Sequence, residues 1–535
     1  MSAAVTVTAM GLLLGCAQLP ADTNWSPPDW PAPATMVTVV TAAGEPAEAS
    51  ETVEPAKPAA KADAAEATSA APLVPADADL AGFIDGRIRN DRAGVQIRYV
   101  EIVGADSFNA SVATIIDDAI ASTGISSFTP EVFDTGAGLA ERGCVAGSLA
   151  IPAAELLKDP AYGPVDGDGT AVVCEVTAAF GPVVGVSFRM VAGLDGDITR
   201  DTTTALFANL ETGGVTAGAE LWTAEAAGEL WQGTVDGLRR DAWALSAAPT
   251  QPPSDEQLAL AQAALAGAGF TGAGARLTLP AGITSAELTA LGAGATTVPL
   301  TVEVDSLDGW LTPAGDAILA LRGTPFVGVP AWNGAHPVSC AIDACVAVTY
   351  DDGPSGFTAE LLDTFAAHES AATFFMLGNA VLGNPEVVAR AAGAGHELAS
   401  HTMSHPDLTT ISPKKARRQV HQAGTAITDA AGVPVTMYRP PYGAVDAAVI
   451  SAVGWPAILW SIDTLDWQQP GQKALVKRSA QAATPGDIIL FHDTHADTVN
   501  AADAVVEGLR NRGFTLVTVT QLFDGEVPGG RVSSR

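Results

Sequence analysis

From about residue 335 to the C-terminus, short apolar runs alternate with amphipathic segments. CVAVTY, AATFFML, HELASH, PVTMYRP, AILWSI, DIILF and FTLVTV have the length and composition of strands. Between them, GFTAELLDTFAAHE and NAADAVVEGLRNRG place apolar residues three and four apart, which predicts helices packed by one face. Strand and helix alternating through short connections predict a (β/α) barrel. The stretch is shorter than the usual ~250 residues, so the barrel is expected to be distorted, with its active site at the C-terminal ends of the strands.

Upstream, residues 80–330 mix strand patterns (VQIRYVEIVG, GPVVGVSFRMVAG) with helical ones (NASVATIIDDAIAST, SDEQLALAQAALAGAG), which predicts an α+β companion region ending at the joint GVPAWNGAHP. Residues 17–79 are rich in Ala, Pro, Glu and Thr and read as a disordered tether, too poor in apolar surface to order itself. The expected fold class is therefore α/β, with a C-terminal barrel at 335–535 preceded by the α+β region and the tether.

The chain has 535 residues, enough for two or three domains. Its formal net charge of −33 comes from few basic residues and argues against nucleic acid as a partner. The opening MSAAVTVTAMGLLLGC resembles a bacterial lipoprotein signal, residues 1–16, whose Cys16 is lipidated; an ordinary secretory signal is the alternative. Either implies export, and the first implies a lipid anchor on the outer face of the cytoplasmic membrane. The other four cysteines allow three pairings, of which the local one, Cys144 with Cys174 and Cys340 with Cys345, is favoured. All eight histidines lie between His336 and His495, so histidine chemistry belongs to the C-terminal region.

Polar clusters fall where the strands end. Asp351 and Asp352 would repel unless a cation or an arginine neutralises them. His401 and His405 are spaced so that one helical turn could aim both rings at one point. With an aspartate from another strand end they make a two-histidine, one-carboxylate site with open coordination positions. Further along stand YRPPYG with Arg439, WSIDTLDW with Asp463, Asp466 and Trp467, and LFHDTH with Leu490, His492 and Asp493. The basic group Lys414, Lys415, Arg417 and Arg418 is read as a solvated helix face, with attraction to an anionic wall polymer as the alternative.

In order, TYDDGP, HTMSHP, RPPYG, DTLDW and LFHD resemble the five motifs of the polysaccharide deacetylases, carbohydrate esterase family 4 with the NodB homology domain. The resemblance runs from about Val346 to the C-terminus and departs only at Tyr350, where Phe is commoner. It implies a NodB-type barrel and the metal-dependent removal of acetyl from N-acetylated amino sugars of a cell-wall polysaccharide, peptidoglycan first. A chitooligosaccharide deacetylase, an acetyl-xylan esterase and a non-catalytic glycan-binding protein are the alternatives. It further implies that Asp352, His401 and His405 bind a divalent ion, usually Zn2+, with Co2+ as another option. Asp351 would be the base held ionised by Arg439, and His492 the acid oriented by Asp466. The backbone N–H of Tyr442 would face the oxyanion, and Trp467 and Leu490 would enclose the acetyl methyl. Within residues 80–330, IRYVEIVGADSFNASVATIIDDAIA and the later TVEVDSLDGWLTPAGDAILAL are loosely similar to extracytoplasmic companion domains of some wall deacetylases and anti-sigma factors, which leaves a spacer role and a wall-binding or sensing role both open.

Overall fold

The computed structural model describes residues 37–39, 80–241, 251–280, 286–290, 297–334, 336 and 338–535. Cys16 and nearly all of the expected tether lie outside these residues. The fold is mixed α/β.

In the C-terminal region the strand Ala344–Asp351 is buried along its whole length, as expected of a parallel strand covered on both faces. It pairs in parallel with Thr373–Met376 on one side and Ile488–His492 on the other. Glu397–Ser400 extends the first side and Ile462–Asp463 the second. Phe514–Val517 pairs with the first half of Ala344–Asp351, before Ile488–His492 takes over the second half. Helices Thr358–Ala367, Pro413–Ala431 and Ala496–Asn511 bury Leu361, Phe365, Ile427, Val505 and Leu509 in the core beside this sheet. Tyr350 stacks between Phe374 and Phe491, at 5.4 and 5.6 Å between ring centroids, so its ring does the packing that a phenylalanine would do there.

Two expected strands differ from their patterns. PVTMYRP is reduced to bridges at Tyr438, which pairs with Ser400 and Ala457. Pro440 and Pro441 have no N–H to continue a ladder. AILWSI breaks into Ala457–Ile458 and Ile462–Asp463, and between them the carbonyls of Ile458 and Leu459 accept hydrogen bonds from the guanidinium of Arg439.

Upstream, six strands form a sheet in the order Phe83–Asn90, Val95–Ile102, Gly169–Phe180, Val183–Leu194, Asp197–Asn209 and Val215–Ala217. Helix Asp106–Ser122 buries Phe108, Val112 and Ile116 in the core shared with this sheet. Disulfides join Cys144 to Cys174 and Cys340 to Cys345. A second sheet contains Gly269–Thr271, Gly274–Leu279 and Val298–Glu303, and its outer strand is Val37–Val39. This corrects the reading of 17–79 as tether throughout: the alternating VTV has the β-branched residues a strand favours, and Val37 is fully buried.

Hydrogen bonds tie the upstream part to the N-terminal ends of the C-terminal strands. Phe133 N–H donates to the Arg512 carbonyl (3.0 Å), Arg512 Nε to the Phe133 carbonyl (2.7 Å), and Arg142 Nη2 to the Phe514 carbonyl (2.5 Å). Near this junction Asp343 is nearly buried and accepts from Tyr99 Oη at 3.3 Å. Burial pushes Asp343 up to about 6, against the pull of Arg142, Tyr99 and Thr515. Glu101 is pushed to about 7 by burial and then by the charge of Asp343. The folded state thus binds protons that the unfolded chain releases, so this carboxyl costs stability as pH rises through its unfolded value of 3.8 towards about 6. Relative to Asp343→Asn, the wild type is expected to lose unfolding free energy across that window and to level off above it. Urea melts at constant ionic strength check this; a difference that grows on acidification would refute it.

Candidate active site

The parallel register brings the polar residues to one end of the sheet. Asp351 and His492 are directly paired neighbours at the ends of adjacent strands, and His401 follows Ser400 at the end of another. Arg439 follows the Tyr438 bridge, and its N–H donates to the Ser400 carbonyl at 2.9 Å.

Arg439 is fully buried. Nη1 donates to Asp351 Oδ1 and to Thr349 Oγ1, both at 2.8 Å, while Nε and Nη2 donate to the Ile458 and Leu459 carbonyls. The Phe375 ring lies 4.0 Å below the guanidinium carbon. Burial pushes the Asp351 carboxyl up; the charge of Arg439, that of His492 and the Arg439 hydrogen bond oppose it. A buried ion pair gains little over apolar packing, but losing one partner leaves an uncompensated charge.

Asp352, His401 and His405 converge. Their ligand atoms lie within 4.8 Å of one another, the one such group of three or more His, Cys, Asp or Glu among the described residues. Asp352 Oδ1 stands 3.6 Å from His401 Nε2 and 3.5 Å from His405 Nε2. It is buried without a hydrogen-bond partner, a costly state for a carboxylate oxygen. His401 Nδ1–H donates to the Arg439 carbonyl at 2.8 Å, so in the neutral ring Nε2 carries the lone pair that faces Asp352. Burial, the largest influence on His401, holds it neutral. His405 Nδ1 pairs with Tyr442 Oη at 3.2 Å. An orphaned carboxylate oxygen facing two imidazole nitrogens fits a divalent cation.

The loop between the histidines is not the helical turn expected from their spacing. Residues 401–407 are irregular, and Thr402 (φ 72°) and His405 (φ 59°) are left-handed. Its carbonyls are taken from outside, Thr402 O by Gly378 N–H and Met403 O by Asn379 N–H, so a helix cannot close. Asp352 (φ 72°) and Tyr442 (φ 61°) are left-handed too. Leu465 (φ 54°), beside Asp466, makes five site residues or immediate neighbours in a conformation that costs a non-glycine residue on the order of 1–3 kcal/mol.

On the opposite side, Asp466 accepts four hydrogen bonds. His492 Nδ1 donates to Oδ1 (2.8 Å) and His492 N–H to Oδ2 (2.7 Å); Thr498 Oγ1 donates to Oδ2 (2.8 Å) and Trp467 N–H to Oδ1 (3.0 Å). Burial alone would raise Asp466, but the hydrogen bond and charge of His492 with the remaining donors bring it below the ordinary carboxylate value. Burial would lower His492; the Asp466 hydrogen bond and the charges of Asp351, Asp466 and Asp352 outweigh it and lift His492 to about 9. Its Nε2 is left as the atom free to exchange a proton. Leu490 is buried below, whereas Trp467 and Tyr442 are exposed at 55% and 72%. Asp463 accepts from Leu465 N–H and only shapes the loop.

Sequence reasoning missed Thr349, Thr498 and the partners of Asp493. Asp493 is buried; Thr358 Oγ1 donates to its Oδ2 (2.5 Å), and Ser355 Oγ to its carbonyl (2.7 Å). A Cβ on Gly353 would stand 2.2 Å from that Oδ2, so the turn after Asp352 needs glycine. The threonines carry no periodic signal, because a hydroxyl at a strand or helix end is ordinary until its partner is known. Of the basic group, Arg417 Nη1 caps the Ala452 and Val453 carbonyls, each at 3.0 Å, while Lys414, Lys415 and Arg418 are exposed.

The family profile described as polysaccharide deacetylase matches residues 339–454. The peptidoglycan-N-acetylglucosamine deacetylase PgdA of Listeria monocytogenes is 38% identical over 187 residues, 35% of this chain and 40% of that protein. The peptidoglycan-N-acetylmuramic acid deacetylase PdaC of Bacillus subtilis is 36% identical over 178 residues, 33% of this chain and 38% of that protein. A solved structure of that PdaC aligns at 35% identity over 35% of this chain and 93% of that one, with a TM-score of 0.34. A chitooligosaccharide deacetylase of Rhizobium leguminosarum bv. trifolii is 36% identical over 197 residues, 34% of this chain and 92% of that protein. The chain belongs to the polysaccharide deacetylase family. It spans about two fifths of the length of the first two relatives and nearly all of the rhizobial one. Family membership is carried by the part of the chain that holds the site.

Arg439→Met should destabilise the fold by about 3–5 kcal/mol, because it strands a buried carboxylate. Adding Asp351→Asn should recover part of that loss. Denaturant melts of the two single variants and the double variant measure the coupling, and additive losses would show that the pair does not act as one unit.

Proposed function

We propose that the protein is a polysaccharide N-deacetylase that hydrolyses the acetamide of N-acetylated amino sugars in a cell-wall glycan, with peptidoglycan the first candidate. The observation that carries this reading is the placement of two proton-transfer groups, Asp351 and His492, on paired strand ends beside the Asp352, His401 and His405 cluster. The pairings that link 344–351, 373–376, 397–400, Tyr438, 457–463 and 488–492 are read as the distorted barrel of the NodB type. Residues 335–535 are read as the catalytic domain and 80–330 as its companion.

Asp352, His401 and His405 would hold a divalent ion, Zn2+ or alternatively Co2+. Bound there, the ion supplies Lewis acidity towards the acetyl carbonyl. Asp351, kept ionised by Arg439, takes a proton from the attacking water. The N–H of Tyr442, presented by its left-handed backbone, faces the oxygen that gains charge. His492, cationic by virtue of Asp466, gives the departing amine its proton from Nε2. Trp467 and Leu490 bound the space for the acetyl methyl, which favours acetyl over longer acyl groups. Export, and lipidation at Cys16, follow from the leader; no described helix is long and apolar enough to cross a membrane.

Incubation of the zinc-loaded protein with peptidoglycan, with chitin oligomers and with acetylated xylan, followed by mass spectrometry, tests the reading. Loss of acetyl from N-acetylglucosamine or N-acetylmuramic acid of peptidoglycan is expected. Loss from chitin oligomers or xylan alone would reassign the substrate, and loss from none would leave a glycan-binding protein. Asp351→Asn and His492→Ala should each lower the rate by about 10²- to 10⁴-fold while retaining the metal.

Because His492 must be protonated to act, activity should fall as pH rises through its titration. Asp466→Asn removes the charge and the best acceptor that lift His492, so the alkaline limb of the kcat/KM profile should move to lower pH. An unmoved limb would show that another group sets it.

A further inference from the structure

The loop that carries His401 and His405 belongs to no helix or strand, yet each amide donor from Thr402 to His405 has a partner. Thr402 N–H donates to Ser400 Oγ (3.3 Å) and His405 N–H to Thr402 Oγ1 (3.0 Å), both within the loop's own stem. The two between them, Met403 N–H and Ser404 N–H, converge on a single atom, Gln419 Oε1, at 3.0 and 3.2 Å. Ser404 Oγ lies 3.2 Å from Gln419 Nε2 and 3.4 Å from Oε1, and the two N–H donors require the amide oxygen on their side.

Gln419 stands on a firm base. It is carried by helix Pro413–Ala431, whose Ala416, Val420 and Ala423 are buried, and its neighbour Val420 accepts from Ser400 Oγ at 2.9 Å. The left-handed Thr402 and His405 flank the two amides it grips. Without an acceptor there, Met403 and Ser404 lose the one contact that holds their N–H groups from outside the loop. The strain at Thr402 and His405 could then relax by turning the His405 ring away from Asp352.

We propose that Gln419 is a positioning residue for the metal ligands: its side-chain oxygen fixes the Met403–Ser404 peptides and thereby aims His405 Nε2 at Asp352. The proposal rests on the reading of Asp352, His401 and His405 as metal ligands. It requires an acceptor oxygen at this position and nothing else about glutamine. Glutamate supplies that oxygen, leucine offers similar bulk without it, and asparagine carries it one methylene short.

The test is Zn2+ affinity by calorimetry and the visible absorption of the Co2+ form, measured on the full chain with no substrate present. Gln419→Leu and Gln419→Asn should bind Zn2+ about 10- to 100-fold more weakly, the size typical of losing a support behind a metal ligand, with an altered Co2+ spectrum. Gln419→Glu should stay within about threefold of wild type, because a charge-assisted acceptor serves the same two donors. Wild-type affinity in both Gln419→Leu and Gln419→Asn would overturn the proposal, as would an equal loss in Gln419→Glu. His405→Ala separates this from the parent reading: if the wild type binds no tighter than His405→Ala, the ligand assignment itself fails, and the role of Gln419 falls with it.

Discussion

The buried Arg439–Asp351 pair is the constraint around which this end of the molecule is built. A guanidinium removed from water needs its nitrogens paired, and here all three donate, in four hydrogen bonds, to Asp351, Thr349 and two carbonyls of the broken strand 457–463. The strand is interrupted where it meets that need: Ala457–Ile458 pairs with Arg531–Val532, and Ile462–Asp463 with Ile489–Leu490. The Arg439 carbonyl fixes the His401 tautomer, so one side chain and its own backbone serve both the charged pair and the imidazole that faces Asp352.

Much of this was legible in the sequence because the region is regular. Runs such as CVAVTY and DIILF are continuous and apolar, since parallel strands covered on both faces leave no polar alternation to misread. The five polar clusters could be placed at strand ends from the pattern, and their order as motifs came from the family resemblance. What could not be read was irregular backbone. The His401–His405 spacing suits a helical turn, and only the partners of its carbonyls, Gly378 and Asn379, show why a loop forms instead. PVTMYRP looked like a strand by composition, although its own prolines limit it to a bridge. Val37–Val39 was hidden by its neighbours, because three residues of strand are too few to stand out in an Ala- and Pro-rich stretch.

The upstream region meets the C-terminal one at the strand ends opposite the site, through Phe133, Arg142 and residues 510–515. The half-buried Glu101 of the upstream region and the buried Asp343 of the C-terminal one lie near each other there rather than near the histidines. Tyr442 and Trp467 are exposed at the other ends of the strands, away from the junction.

The left-handed backbone at Asp352, Thr402, His405 and Tyr442 bears on how the protein could be made more robust. Glycine would adopt these angles without steric cost, so replacing the exposed Tyr442 by glycine is the kind of change that relieves local strain. Each such gain would also slacken a turn whose rigidity aims a neighbouring group. Selection for thermal tolerance alone would thus be drawn to the positions where this molecule can least spare its stiffness, and improvement is better sought in the surface helices far from that pole.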